Sequence, residues 1–600
     1  MKALLPILGR YAPLGALVGI QLLIIAIAPS IAPSALAGAA GNGSSLATGG
    51  GSTAANGVPG TGGVGTTGTA GTTGTGTTTG AGGVSGPAAV SGDTSHCTGG
   101  REFSQTIAWF APACVPGTPG GVDPQNGGAT YRQGVTGDTV EILEYVTNYG
   151  AQINAILAAQ HALVTYNMAK QYDAAVQRFL NDHFVLWGRK IHIDTYNGTC
   201  NYLDDQCILP ELDRVVSQYK PYMVFWLTSV CPECFAELAH DGTIAVGGLG
   251  FSDQLGQQLA PFYYSATMSS THMEQAFAQW WCSEMSSVND PSRKVSFAGD
   301  NNTAQNFNGM PRRLGIVSPN KPDNENTINN VLIPALHAGC GEDSKYISDH
   351  TYFYAQDINT AAQQTYAGTA KEDSGATAAT SVVCICDIVA PQFAYQGSAN
   401  FNYWPEALIA DVQGMGDDIV AQTYDAQFSC PKAPSGAGSG NQCAADSLAG
   451  LTVSEPQEPQ NDDPGIRVWK MYEGSKPMPS DAQSGSTYSG VTSTAVLLQY
   501  VMMASLIENA GPQLDPWSMQ KRAPAMPAIG GGNHPLLQFS TGNWQWIQTV
   551  RLAYWDHWRK SSYNGAKGSW VNVNGQTYYP RTGLPETPSG PSIPPPGQRS

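Results

Sequence analysis

Charge is what this 600-residue chain has least of. Asp, Glu, Lys and Arg make up 12% of it, against roughly 25% in ordinary globular proteins. Cations are the scarcer kind: 29 Lys and Arg face 46 Asp and Glu, for a net charge of −17. That balance argues against nucleic acid and anionic membrane surfaces as partners, since both call for a basic patch. Catalytic signatures are missing as well. The chain has no Gly-x-Ser-x-Gly elbow, no His-Glu-x-x-His helix and no phosphate-cradling glycine loop. A protein that is not an enzyme and carries no cofactor or metal is therefore expected. No cysteine stands near the end of the N-terminal apolar run, so anchoring through a lipidated cysteine has no support.

What is present begins with an export segment. Lys2 and Arg10 lead into an apolar run over residues 11–28, and Ala35-Leu36-Ala37 offers small residues where a signal peptidase cuts. Residues 1–37 read as a signal peptide or, since the run just suffices to span a bilayer, as an uncleaved membrane tether. Residues 38–95 are nearly all Gly, Thr, Ser and Ala, with no charge before Asp93. A chain so poor in large apolar groups cannot offset its ordering entropy and is expected to be a disordered stalk. As a flexible coil it spans roughly 40 Å. An exported, extracytoplasmic or cell-surface protein follows.

Twelve cysteines suit an oxidising compartment. Cys97 with Cys114, Cys200 with Cys207 and Cys430 with Cys443 are plausible local disulfides. Cys231-Pro-Glu-Cys234 and Cys384-Ile-Cys386 read as structural pairs ahead of metal or redox sites, because no second Cys/His pair stands at zinc-ligand spacing. Residues 96–133 form a cysteine-containing arm.

From residue 134 onward the pattern alternates strand and helix. Residues 139–145 are short, apolar and β-branched, and residues 151–184 repeat apolar side chains at helical spacing. Residues 191–195 make the next strand. Strand, helix, strand in this order implies a right-handed crossover and a parallel sheet. Strands are also expected at 222–227, 243–246 and 261–265, with a helix at 232–241 after the first and a crossing between lobes just after the last. The series then restarts with a helix at 273–285 and strands at 312–318, 352–354 and 381–386. Residues 430–464 read as a Gly/Pro-rich insertion, 492–509 as a strong helix, and 543–579 as short strands and turns.

Two stretches carry a family resemblance. Gly134-Val135-Thr136-Gly137-Asp138-Thr139-Val140-Glu141-Ile142 and the later turn Gly188-Arg189-Lys190-Ile191 resemble the opening of type I periplasmic solute-binding proteins, in particular the branched-chain amino-acid-binding group. Arg312-Arg313-Leu314-Gly315-Ile316-Val317 is similar to the start of that family's second lobe. The resemblance runs from about residue 134 to 585. It implies an α/β protein of two doubly wound parallel-sheet lobes, the periplasmic-binding-protein type I fold. One lobe would be residues 134–270 plus 425–525, the other 271–424 plus 526–600.

Ligands of doubly wound sheets bind beyond the carboxyl ends of the strands. The resemblance puts the ligand-contacting positions there: Thr228 and Ser229, then Gly250, Phe251 and Ser252 from the first lobe, and Asn320, Asp323, Gln392 and Tyr395 from the second. Plain structural roles compete at several of them. Thr228 and Ser229 could only cap a helix, Gly250 could only permit a turn, and Tyr395 could be an ordinary loop aromatic. Glu406 is either a partner for a ligand ammonium or a solvated acid at a helix start. The function implied is capture of a small polar metabolite, an amino acid or amide-like molecule, for uptake through a membrane ABC permease or for sensing. The alternative is a cell-envelope interaction module with a degenerate cleft.

Overall fold

The computed structural model describes residues 93–117, 131–299, 307–375, 377–428 and 444–580 apart from 574 and 576, and residue 593. The export segment, nearly all of the stalk, and Cys430 with Cys443 lie outside the described residues. Asp93 already belongs to the arm, where its backbone pairs with that of Gly117.

The first sheet holds five parallel strands: β1 (Thr139–Asn148), β2 (Lys190–Asn201), β3 (Met223–Trp226), β4 (Ile244–Gly247) and β5 (Tyr263–Tyr264), in the order β2-β1-β3-β4-β5. Every residue of β3 and β4 is buried, which is why both read as continuous apolar runs rather than alternating ones. On one face pack Tyr166–His183, Pro464–Glu473 and Gly490–Ala510; Asp205–Tyr219, Pro232–His240 and Asp253–Leu259 form another group.

The second sheet repeats the design. Its parallel strands are β6 (Leu314–Pro319), β7 (Thr351–Tyr354), β8 (Ser381–Cys384), β9 (Glu406–Asp411) and β10 (Leu448–Thr452), in the order β7-β6-β8-β9-β10. Position for position this is the same doubly wound order as the first sheet, with the switch point beside the first strand of each. Beyond β10 the sheet continues with two antiparallel strands, Thr549–Lys560 and Lys567–Asn572. The expected two-lobed α/β architecture of doubly wound parallel sheets is present.

Several details differ from the sequence reading. The single helix expected over 151–184 is two, Gly150–Ala159 and Tyr166–His183, broken where His161 takes a left-handed backbone at φ 54°. The insertion expected at 430–464 contains β10, so residues 448–452 pair with β9 in the second sheet and not with the first lobe. A hydrogen-bonded edge at β9 decides this, and Gly450 allows it. At φ 144°, a side chain there would meet the Ile409 carbonyl at 2.2 Å. Residues 418–425 form a helix on the second lobe, so the chain does not return to the first lobe at 425 as the expected lobe bounds required. Instead, the chain passes between sheets near residues 265–269, 453–463 and 523–548.

Five disulfides join the described cysteines: Cys97–Cys114, Cys200–Cys207, Cys231–Cys234, Cys282–Cys340 and Cys384–Cys386. Cys282–Cys340 ties two helical segments 58 residues apart. The arm carrying Cys97–Cys114 is docked on the first lobe, where Phe103 packs edge-on to Phe179 at 5.0 Å and Trp109 stacks on His534 at 4.5 Å.

Candidate functional site

The carboxyl ends of the two sheets face a shared cleft with a cavity of about 510 Å³. Its walls come from the positions that doubly wound sheets reserve for ligands. Thr147 lies at the end of β1 and Tyr149 follows it, Thr228 follows β3 and Leu249 follows β4; Gln356, Asp387, Gln413 and Ser454 follow β7, β8, β9 and β10. A cavity of this size lies within the range of small-molecule sites, about 300–1,000 Å³.

The first-lobe wall is held by a short polar chain. The Trp226 indole donates to Thr147 Oγ1 at 2.7 Å, and Thr147 shares a hydrogen bond with Thr228 Oγ1 at 3.0 Å. Two contacts reach across the mouth. Gln160 Nε2 donates to the Ile388 carbonyl at 2.8 Å, and the Tyr202 hydroxyl donates to the Gln356 carbonyl at 2.6 Å. Apolar and aromatic groups cover most of the remaining surface, among them Trp109, Phe110, Tyr149, Ile153, Leu157 and Phe393.

Acids dominate the charged groups of the cleft, with His161 and His534 beside them. Glu144, Asp387, Asp417, Glu455, Glu458 and Asp463 line it, while among the described residues no Lys or Arg does. Some of these acids are engaged. Asp387 accepts from the Tyr354 hydroxyl at 2.8 Å and from the backbone of Val389 and Ala390. Glu455 accepts from His534 Nδ1 at 2.6 Å, and Glu458 pairs with Arg467. The others are pushed toward their neutral forms. Burial, with Asp411 close by, raises Asp417 to about 8. Burial followed by the nearby Asp173 carboxyl raises Glu144 well above the usual carboxylate range, and Tyr500 bonds to both acids. Burial and then Glu458 raise Asp463 to about 7.

Of the residues expected to contact ligand, Thr228 lines the cleft. Ser229 is buried, and its Oγ accepts from the Cys231 amide at 3.3 Å. Gly250 takes a left-handed turn at φ 71° and sits against Val412 of the second lobe, where a side chain would meet that valine at 2.9 Å. Phe251 is core, packed edge-on to Phe235 at 5.2 Å. Ser252 caps Asp253–Leu259 and its amide donates to Asp323 at 2.8 Å, so two expected ligand contacts meet each other. Asn320 is exposed. Gln392 donates to Thr423 at 3.0 Å. Tyr395 is buried against Phe428 at 4.8 Å, on the helix face turned from the cleft. Glu406 is neither solvated nor in the cleft: it begins β9, fully buried, and holds the Arg312 guanidinium at 2.8 and 2.9 Å.

Sequence reasoning missed the acids. Asp387 could have been found by the rule that pointed to Thr228, since it directly follows an apolar strand. Gln160, Glu144 and Asp463 had no such signal: a helix break, mid-strand burial and a connecting segment bring them in.

No protein family and no curated protein matches this sequence. Among solved structures, several are similar to it. One is a possible leucine/isoleucine/valine-binding protein from Rhodopirellula baltica SH 1, at 10% identity and TM-score 0.46, covering 74% of this chain and 98% of that one. A solute-binding protein of an ABC transporter from R. palustris, in complex with 4-hydroxybenzoate, is similar at 8% identity and TM-score 0.47, covering 75% and 100%. A fatty acid ABC transporter substrate-binding protein from Thermomonospora curvata gives 11% identity and TM-score 0.46, covering 73% and 93%.

Proposed function

We propose that this chain is an exported solute-binding protein that closes two lobes on a small molecule and presents it to a membrane ABC permease or a sensor. The observation that carries the reading is the cleft itself: a cavity of about 510 Å³ at the carboxyl ends of two sheets with the same strand order, walled by both. A closed form that contacts ligand from both sides is favoured by the ligand's differential affinity for it. Thr228 is the contact retained from the sequence-based expectation, and its hydroxyl, tied to Thr147, faces ligand from the first lobe. Acting without catalysis, the protein would use this site for binding alone.

An amino acid or amide-like ligand was the sequence-based expectation. The wall favours a molecule with a substantial apolar body, because apolar side chains dominate it. The competing reading, an envelope interaction module with a degenerate cleft, calls for side chains that fill the space between the lobes, and the open cavity speaks against it.

Thermal unfolding of the chain against amino acids, amides, aromatic acids, amines, short peptides and a fatty acid tests this. A ligand at 100 times its dissociation constant adds about 2.7 kcal/mol of stability. A selective upward shift is expected for one chemical class. No shift across the whole panel would leave the interaction-module reading in its place.

A further inference from the structure

Hydrogen-bonding capacity in the cleft is left over on one side. Four buried side-chain atoms that line it have no partner: Gln160 Oε1, Gln356 Oε1, Asp463 Oδ2 and Gln457 Nε2. The first three are acceptors. Opposite partners fix the orientation of each amide. Gln160 Nε2 faces the Ile388 carbonyl, Gln356 Nε2 faces the Asp387 carboxylate, and Gln457 Oε1 accepts the Ile419 amide. A buried acceptor left unmet is costly, and three of them belong to residues in the wall of this one cavity.

Asp463 is the most exacting of them. It is 5% exposed and makes no side-chain capping bond at the helix it precedes. Its carboxylate lies against Gly490, where any side chain would overlap it at 1.9 Å. That glycine opens the first turn of Gly490–Ala510, and two residues on, Thr492 Oγ1 donates to the carbonyl of His161, the neighbour of Gln160. Asp463 and Gln160 thus border the same helical turn. Arg467 stands near Asp463, but its guanidinium is committed to Glu458, Asp462 and the Ile107 carbonyl, and it does not line the cavity.

We propose that the cleft is built for an organic cation: a primary amine on an apolar or aromatic body, its ammonium donating to the Asp463 carboxylate. This rests on the solute-binding reading and names its ligand class. An ammonium brings three donors and no acceptor, which meets the surplus. The apolar body suits the aromatic wall, where Tyr149 and Tyr202 lie with ring centroids 5.2 Å apart. A free carboxylate, by contrast, would find among the described residues no Lys or Arg in the wall, and His534 there already held by Glu455.

Four probes of one shape separate the outcomes: phenethylamine, 2-phenylethanol, phenylalanine and 3-phenylpropionate, titrated calorimetrically into the full chain. Phenethylamine is expected to bind at least tenfold more tightly than 3-phenylpropionate, a comparison that needs no variant to fold. Asp463→Asn is expected to weaken the amine at least tenfold and leave 2-phenylethanol unchanged, whereas a purely structural role would weaken both equally. Binding of the acid as tight as that of the amine, or an Asp463→Asn protein with undiminished amine affinity, overturns the cation and leaves the solute-binding reading standing. If the broader panel finds no ligand of any charge, both fall together.

Discussion

Ser252 and Asp323 grip each other across the two lobes: the serine amide donates to Asp323 Oδ2 at 2.8 Å and its hydroxyl bonds the other carboxylate oxygen. Both stand at the starts of helices that follow strands, β4 in one sheet and β6 in the other. Hydrogen bonds to a charged group contribute about 1.5–3 kcal/mol each when sheltered, and Asp323 is half-buried. Asp323→Ala should therefore shift the population toward open forms by about 1–2 kcal/mol. Small-angle scattering would show a larger radius of gyration with unchanged secondary structure. An unaltered radius would mean that these two residues do not govern closure.

Glu406 carries a different prediction. Arg312, the Ser381 hydroxyl and the Ser296 amide all meet its carboxylate, and it is fully buried. Removing one partner of such a pair leaves the other charge buried and unmet, at a cost of about 3–5 kcal/mol. Glu406→Ala should lower the unfolding free energy by that amount in urea while the affinity of any cleft ligand for the folded protein stays the same. A change in affinity greater than the change in stability would return Glu406 to the binding site.

The difference between Glu406 and Asp463 shows what the sequence could and could not convey. Central parallel strands such as Met223–Trp226 are legible because both of their faces are buried and no polar alternation interrupts them. The ends of such strands are legible too, and Thr228 follows from that rule. Strand β10 was hidden because Leu448-Ala449-Gly450-Leu451-Thr452 contains a glycine and follows a Gly/Ser-rich loop, both of which read as a breaker. Whether an acid is satisfied depends on partners far along the chain. Glu406 finds Arg312, 94 residues away, and Asp463 Oδ2 finds none. Local pattern carries no record of either. Tyr395 and Phe251 failed for a related reason: they lie near the right loops but face the core.

A second pair of acids makes stability depend on pH. Glu102 of the arm and Glu508 of Gly490–Ala510 are buried together; Glu508 accepts from the Val185 amide at 2.8 Å, and His96 Nε2 lies 3.4 Å from Glu102. Burial raises Glu102 to about 8, and burial with the neighbouring Glu102 raises Glu508 well above the usual range. The folded state then binds more protons than the unfolded one between about pH 4.5 and 8. Stability from this pair is complete below that window and is lost as pH rises through it. Glu102→Gln should flatten urea stability between pH 6 and 9 and raise it at pH 9. A variant with the same slope as the parent would show that the pair does not hold the arm.

The cleft should answer pH in the opposite direction. Asp463 must be ionised to hold an ammonium, and its pKa is raised to about 7 by burial, then by Glu458 and Asp462, against the pull of Arg467. Primary amines stay charged to about pH 10, so between pH 6 and 8 only the protein titrates. Amine affinity should climb through that window, about tenfold per pH unit below the pKa if a single proton must leave, and level off above it. Asp417, raised to about 8, adds a later and shallower rise if it too senses the cation. In Asp463→Asn the lower step should vanish and any upper one remain. The neutral analogue 2-phenylethanol should bind without either step, because nothing in its capture requires an ionised acid. Affinity for the amine that falls as pH rises would place the controlling charge somewhere other than Asp463.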